Sequence, residues 1–260
     1  MQKFVKNMHR SYFIISFLLI QVLSFSQDTT IKELHVTGNI GVTNNGISII
    51  PTFSLKQSAF NLSYSLSRGG RFTIDPDVRL TFDGKKGSGI LWFRYKLKTN
   101  GNLKLNLGIH PAYNFGLRTI SENGKTWQIT QARRFIATEW VPTYFVNEHL
   151  HLGLYYLNGH GLQEDGPKNI HYVNFITGID KVPLGGGYSF NISPQVYYLK
   201  SDKEDGYYFT SNIVFTKSKS PLVLMSMINK EIRSNVTGSV IFDWNISVLY
   251  NFRNKFRSYK

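Results

Sequence analysis

The stretch Asn245-Ile246-Ser247-Val248-Leu249-Tyr250-Asn251-Phe252 decides the reading of this chain. In an extended strand Val248, Tyr250 and Phe252 fall on one face, and Asn245, Ser247 and Asn251 fall on the other. Successive side chains of a strand point to opposite faces, so this segment has one apolar side and one wet side. A helix would scatter the same residues around its circumference.

The pattern recurs upstream, with turn residues between the repeats. Leu62, Tyr64 and Leu66 oppose Ser63, Ser65 and Ser67; Leu103, Leu105, Leu107 and Ile109 oppose Lys104, Asn106, Gly108 and His110. The alternation predicts strands over 46–55, 58–67, 71–82, 89–98, 102–115, 128–145, 149–158, 168–179, 188–199, 206–216, 222–231 and 239–252, about twelve in all. The links alternate in length. Arg68-Gly69-Gly70, Asn100-Gly101 and Asn147-Glu148 are tight, whereas Asp83 to Ser88, Gly116 to Thr126, Gly159 to Pro167 and Ser201 to Asp205 are longer. Aromatic residues make up 15% of the chain, rich enough for girdles at two membrane interfaces. Pro51, Pro76, Pro111, Pro142 and Pro194 fall inside these strands and call for bulges or strand ends, because proline removes a ladder donor.

The N-terminus carries Lys3, Lys6 and Arg10, then an apolar run from Tyr12 to Leu23, then Ser24-Phe25-Ser26. That order predicts a signal peptide cleaved before Gln27. No cysteine is present in the chain, so disulfides and thiolate metal sites are ruled out.

Together these features resemble an outer-membrane β-barrel protein of Gram-negative bacteria. The terminal strand is similar to the insertion signal of that class, with Tyr250 and Phe252 as its aromatic positions; Ser247 stands where glycine is usual, and a basic tail follows the Phe. The fold class expected is all-β, a transmembrane antiparallel up-and-down barrel after a cleaved signal peptide. Its parts are the signal peptide (1–26), residues 27–45 as a periplasmic lead-in, preferred to an extra strand over 32–43 because a thirteenth strand would make the count odd, the barrel (46–252) and a basic tail (253–260). The resemblance implies a bacterial outer-membrane location with both barrel termini periplasmic. It implies outer-membrane lipids as neighbours and the barrel-assembly machinery as a partner during insertion.

On this phase the inward face is rich in cations and histidines. The lumen candidates are Arg79, Arg94, Lys96, Lys104, His110, Arg134, Glu139, His149, His151, His171 and Asp243, with Arg133 an alternative to Arg134 and Asp77 a further carboxylate partner. Rings of Lys and Arg favour anions. The leading expectation is therefore a narrow porin-like channel, or a ligand-accepting barrel, with a basic lumen for small anionic or polar solutes. The alternative is a non-conducting structural or adhesive barrel whose interior is cross-braced by ion pairs. A third reading, an outer-membrane lipid hydrolase, needs a Ser beside a His. Asn158-Gly159-His160-Gly161 lacks that Ser, and no catalytic residue is assigned. Gly185-Gly186-Gly187 lacks the Lys and helix of a phosphate cradle, and His149 with His151 is too small a set for a metal, so no cofactor or metal is expected. The net charge of +14 has no basic helix or nucleic-acid module behind it, so nucleic acid is not expected as a partner.

Overall fold

The computed structural model describes residues 33–122, 124–164 and 166–257. The proposed signal peptide lies outside these residues. Twelve strands run in chain order: β1 (Leu34–Thr43), β2 (Ala59–Ser67), β3 (Phe72–Thr81), β4 (Gly87–Lys98), β5 (Leu103–Glu122), β6 (Lys125–Phe145), β7 (Leu150–Gly161), β8 (Asn169–Gly185), β9 (Tyr188–Ser201), β10 (Glu204–Lys217), β11 (Leu222–Ser234) and β12 (Phe242–Phe256). Each pairs antiparallel with its sequence neighbours. β1 pairs with β12 from Leu34↔Phe256 to Thr43↔Ser247, which closes the barrel. The all-β, twelve-strand antiparallel barrel expected from the sequence is the fold observed.

The first strand is not where the alternation put it. Residues 34–43, assigned to a lead-in, form β1, with Val36, Ile40 and Val42 alternating against His35, Thr37, Asn39 and Gly41. Residues 46–55, assigned to a strand, form no strand. They make an inward-folded loop with a short 3₁₀ turn at Pro51–Phe53. The loop has adjacent Ile49 and Ile50, and a strand cannot turn both to one side. At the other terminus, β12 continues past Phe252 to Phe256, so the start of the basic tail belongs to the wall.

Links also shrink. β5 and β6 extend as one long hairpin where a loop over Gly116–Thr126 was expected, and β9 and β10 are joined through Asp202 and Lys203 alone. Residues 180–187, between the expected strands 168–179 and 188–199, are mostly strand, with β8 running to Gly185 and a bulge at Lys181, where φ is +56°.

Four wall prolines sit where a ladder is interrupted. Pairing of β2 with β3 skips from Ser63↔Asp77 to Leu66↔Ile74 around Pro76. Pairing of β4 with β5 skips from Ile90↔Ala112 to Phe93↔Ile109 around Pro111. The same happens at Pro142 in β6 and opposite Pro194 in β9. The missing N–H explains each gap, because the partner carbonyl has no donor to meet.

Outward residues are apolar. Val42, Val78, Leu91, Ile109, Phe175, Val196, Leu224 and Val248 are all exposed on the wall. Three ladder rows on β6–β10 show how the exterior is layered. Leu154, Phe175, Val196 and Phe209 form an apolar row. The next row holds Trp140, Tyr156, Val173, Tyr198 and Tyr207, and the one after it holds Thr138, Asn158, His171, Lys200 and Asp205. Hydrocarbon, aromatic and polar rows in that order mark the passage from bilayer core to headgroups. Phe72, Tyr95, Tyr144 and Tyr250 supply aromatics near the end where β1 begins, so both interfaces are girdled.

Candidate functional site in the barrel lumen

The inward faces of β3, β4, β5 and β6 build a charged layer around Arg94. Its Nη1 donates to Asp75 Oδ2 at 2.9 Å and its Nε to Glu139 Oε1 at 2.6 Å. The Glu139 side chain is only 1% exposed, so this carboxylate is withdrawn from water and the partly exposed Arg94 guanidinium is its compensation. Asp75 also accepts from Ser65 and Thr73. The guanidinium carbon lies 4.2 Å from the centre of the Trp92 ring, whose other neighbour is His110 at 3.7 Å between ring centres. Gly108 makes room for this arrangement: a Cβ there would stand 2.6 Å from Glu139 Oε1.

A second layer crosses β7 to β10. Tyr155, Tyr172, Tyr197 and Tyr208 pack ring on ring, at 5.6, 5.1 and 4.7 Å between successive centres. Tyr197 donates to Asn229 Oδ1, and Tyr208 shares a hydrogen bond with Ser234. Phe135, Leu157, Ile170 and Leu199 complete an apolar lumen core.

Loop 44–58 folds onto that core from the end of the barrel opposite to Leu34 and Phe256. Ile50 is buried in it, and the Phe53 ring meets Phe135 at 5.0 Å. Arg79 Nη1 donates to Ile47 O at 3.0 Å and Lys86 Nζ to Leu55 O at 3.3 Å. On the far side Lys56 Nζ donates to Gly238 O, Thr52 to Thr237 O, and Asn45 to Asp243 Oδ1. Nearer the other mouth, Thr37, Asn39, Ser63, Ser65, Asp75, Asp77, Trp92 and Arg94 line an open polar cavity of about 410 Å³.

The sequence candidates distribute unevenly. Arg79, Arg94, His110, Glu139 and Asp243 point inward: Arg94 pairs with Glu139, His110 packs on Trp92, Arg79 holds Ser88 and Ile47 O with Asp77 3.9 Å away, and Asp243 accepts from Asn45. Lys96 and Lys104 are inward but exposed, with the Lys104 ammonium over the Phe145 ring at 4.3 Å. His151 pairs with Asp180 at 3.1 Å inside the wall. His149 sits in the β6–β7 link against the Asp180 carbonyl rather than on a strand.

Two assignments need correction. His171 faces out, in the polar row, where its Nδ1 meets the Tyr156 hydroxyl at 3.0 Å and Asn158 Nδ2 at 3.3 Å. Arg134 also faces out, and Arg133 takes the inward place. The cause is common to both. This part of the lumen is apolar, so Phe135, Ala137, Ile170 and Tyr172 occupy the inward positions and invert the apolar-out rule.

Trp92, Asp75 and the tyrosine layer were absent from the sequence candidates. The alternation sets Trp92 on the Arg94 face, opposite Leu91 and Phe93, but the lumen candidates are all charged groups or histidines and pass over an aromatic.

No protein-family model and no curated protein matches the chain. Solved structures do resemble it. A KdgM porin, solved in complex with disordered oligogalacturonate, has 11% identity and a TM-score of 0.48, over 84% of this chain and 99% of that one. The β domain of the Bordetella autotransporter BrkA has 11% identity and a TM-score of 0.46, over 85% and 99%. OccAB3 of Acinetobacter baumannii has 11% identity and a TM-score of 0.41, over 87% of this chain and 66% of that one.

Proposed function

We propose that this protein is a narrow porin-like barrel of the bacterial outer membrane that admits small anionic or polar solutes and is closed by its own first loop. Both barrel termini then lie in the periplasm. The observation that carries this reading is the polar cavity lined by Arg94, with loop 44–58 folded inward onto the apolar lumen core from the opposite end. The cations at the open mouth favour anions: Lys96, Lys104, Arg253 and Lys255 stand at the inward positions of β4, β5 and β12. The loop is held by Ile50 and Phe53 in the lumen core, by its own Asn45, Thr52 and Lys56, and by Arg79 and Lys86, whose single hydrogen bonds to its carbonyls water can replace.

Planar-bilayer recordings test the reading. The native chain should pass little current. A variant with residues 46–55 replaced by a Gly/Ser linker should conduct steadily and favour anions, and Lys96→Ser with Lys104→Ser should weaken that preference. Silence from a well-folded linker variant, or a preference for cations, overturns it.

The structural barrel is the second reading. It is favoured by the ring-packed layer, in which Tyr172, Tyr197 and Tyr208 are at most 1% exposed. On that reading the linker variant stays silent. For a lipid hydrolase, the hydrogen-bond partners of His149, His151 and His171 are Asp180, Tyr156 and Asn158, none of them a serine.

A further inference from the structure

The outer wall carries a hollow of about 510 Å³ with an almost wholly apolar lining. Its floor is Gly89, on the lipid side of β4. Val78, Leu91, Tyr113 and Ile136 stand around it, with Pro76 and Pro111 on the same surface. Gly89 is not required by its backbone, since its φ is outside the left-handed region. It is not required by crowding either: a Cβ built there meets nothing within 4 Å. The missing side chain leaves a pit in a surface otherwise covered by large apolar groups.

One cation borders the pit. Val78↔Gly89, Gly89↔Tyr113 and Tyr113↔Arg134 form one ladder row, so Arg134 lies two strands from the floor along that row and shares the lining of the hollow. Its backbone N–H donates to Gln163 Oε1 at 2.6 Å, while its guanidinium has no hydrogen-bond or ion-pair partner among the described residues. Along β6 Arg134 lies beyond Thr138 of the polar row, at headgroup level, where an unpaired guanidinium attracts anionic headgroups. Its planar fork suits phosphate oxygens.

We infer that this hollow binds one phosphate-bearing membrane lipid, with an acyl chain laid over Gly89 and the headgroup phosphate on Arg134. Apolar lining and lone cation match the two halves of that molecule, and the site does not depend on whether the lumen conducts. It also gives Arg134 a role that its outward position denies it in the lumen.

Native mass spectrometry of the full chain in mild detergent, titrated with phosphatidylglycerol, tests the site. One molecule should be retained per barrel. Gly89→Leu puts a side chain into the pit and should weaken binding about tenfold or more, with Gly89→Ala, whose Cβ meets nothing within 4 Å, intermediate. Arg134→Ala should weaken it about tenfold, the usual worth of a charge-assisted hydrogen bond. Diacylglycerol with the same chains should bind like phosphatidylglycerol on Arg134→Ala, and inorganic phosphate should not displace the lipid. Heat-modifiable mobility on gels reports folding. Arg134→Ala is exposed and keeps the test open if Gly89→Leu fails to fold. Unchanged affinity in folded Arg134→Ala, or equal binding of diacylglycerol and phosphatidylglycerol to the native chain, overturns the inference. Displacement by inorganic phosphate overturns it too, by showing a small-anion site.

Discussion

At the residue scale the lumen turns on one withdrawn carboxylate. Glu139 is tolerable inside the wall because Arg94 meets it, and Arg94 reaches it because position 108 has no side chain. Gly108→Ala should push Glu139 off Arg94 and destabilise the barrel by about 2 kcal/mol, the usual cost of leaving a buried charged group partly unsatisfied. A lowered temperature of heat-modifiable unfolding would show it; an unchanged one would mean the carboxylate swings aside freely. Arg133 and Arg134 make the complementary point. Adjacent on one strand, they must face opposite sides, and their own chemistry does not say which goes in.

The element scale is where period-two alternation works best and where its exceptions are physical. In β12, Asn245 and Ser247 are buried inward while Ile246, Val248 and Tyr250 are exposed on the wall, the phase read from the sequence. Val248→Arg should therefore cost about 2–4 kcal/mol if the residue sits near the bilayer midplane. It would appear as a fall in the urea midpoint of folding into vesicles, whereas Lys96→Ala, exposed at the mouth, should leave that midpoint in place. Proline broke the expected ladders without breaking the strands. In a closed barrel each strand pairs on both sides, so a lost donor interrupts one ladder while the other holds.

For the whole molecule, the loop between β1 and β2 decides between pore and plug. Thr52 Oγ1 donates to Thr237 O at 2.8 Å, so the two segments lie side by side at the closed end. The chain has no cysteine of its own. A Thr52→Cys and Thr237→Cys pair should lock the loop when oxidised and release it when reduced. Current that appears on reduction would show that the loop gates the lumen. Current that ignores the redox state would show that it does not.

The period-two alternation by itself determined that this chain is an all-β antiparallel barrel with an apolar exterior, because lipid imposes one rule on every outward residue of every strand; its count of twelve held because residues 46–55, wrongly assigned, stood in for residues 34–43. It also placed Arg79, Arg94, Lys104, His110, Glu139 and Asp243 inside, where that rule leaves the polar face to the lumen. Only the tertiary structure decided that Leu34–Thr43 closes the wall, that residues 44–58 fold inward, and that Arg134 and His171 face the membrane. Inside the barrel no single solvent sets the pattern. An inward position is wet beside the open mouth and apolar beneath the folded loop, and which it is depends on segments far away in the chain.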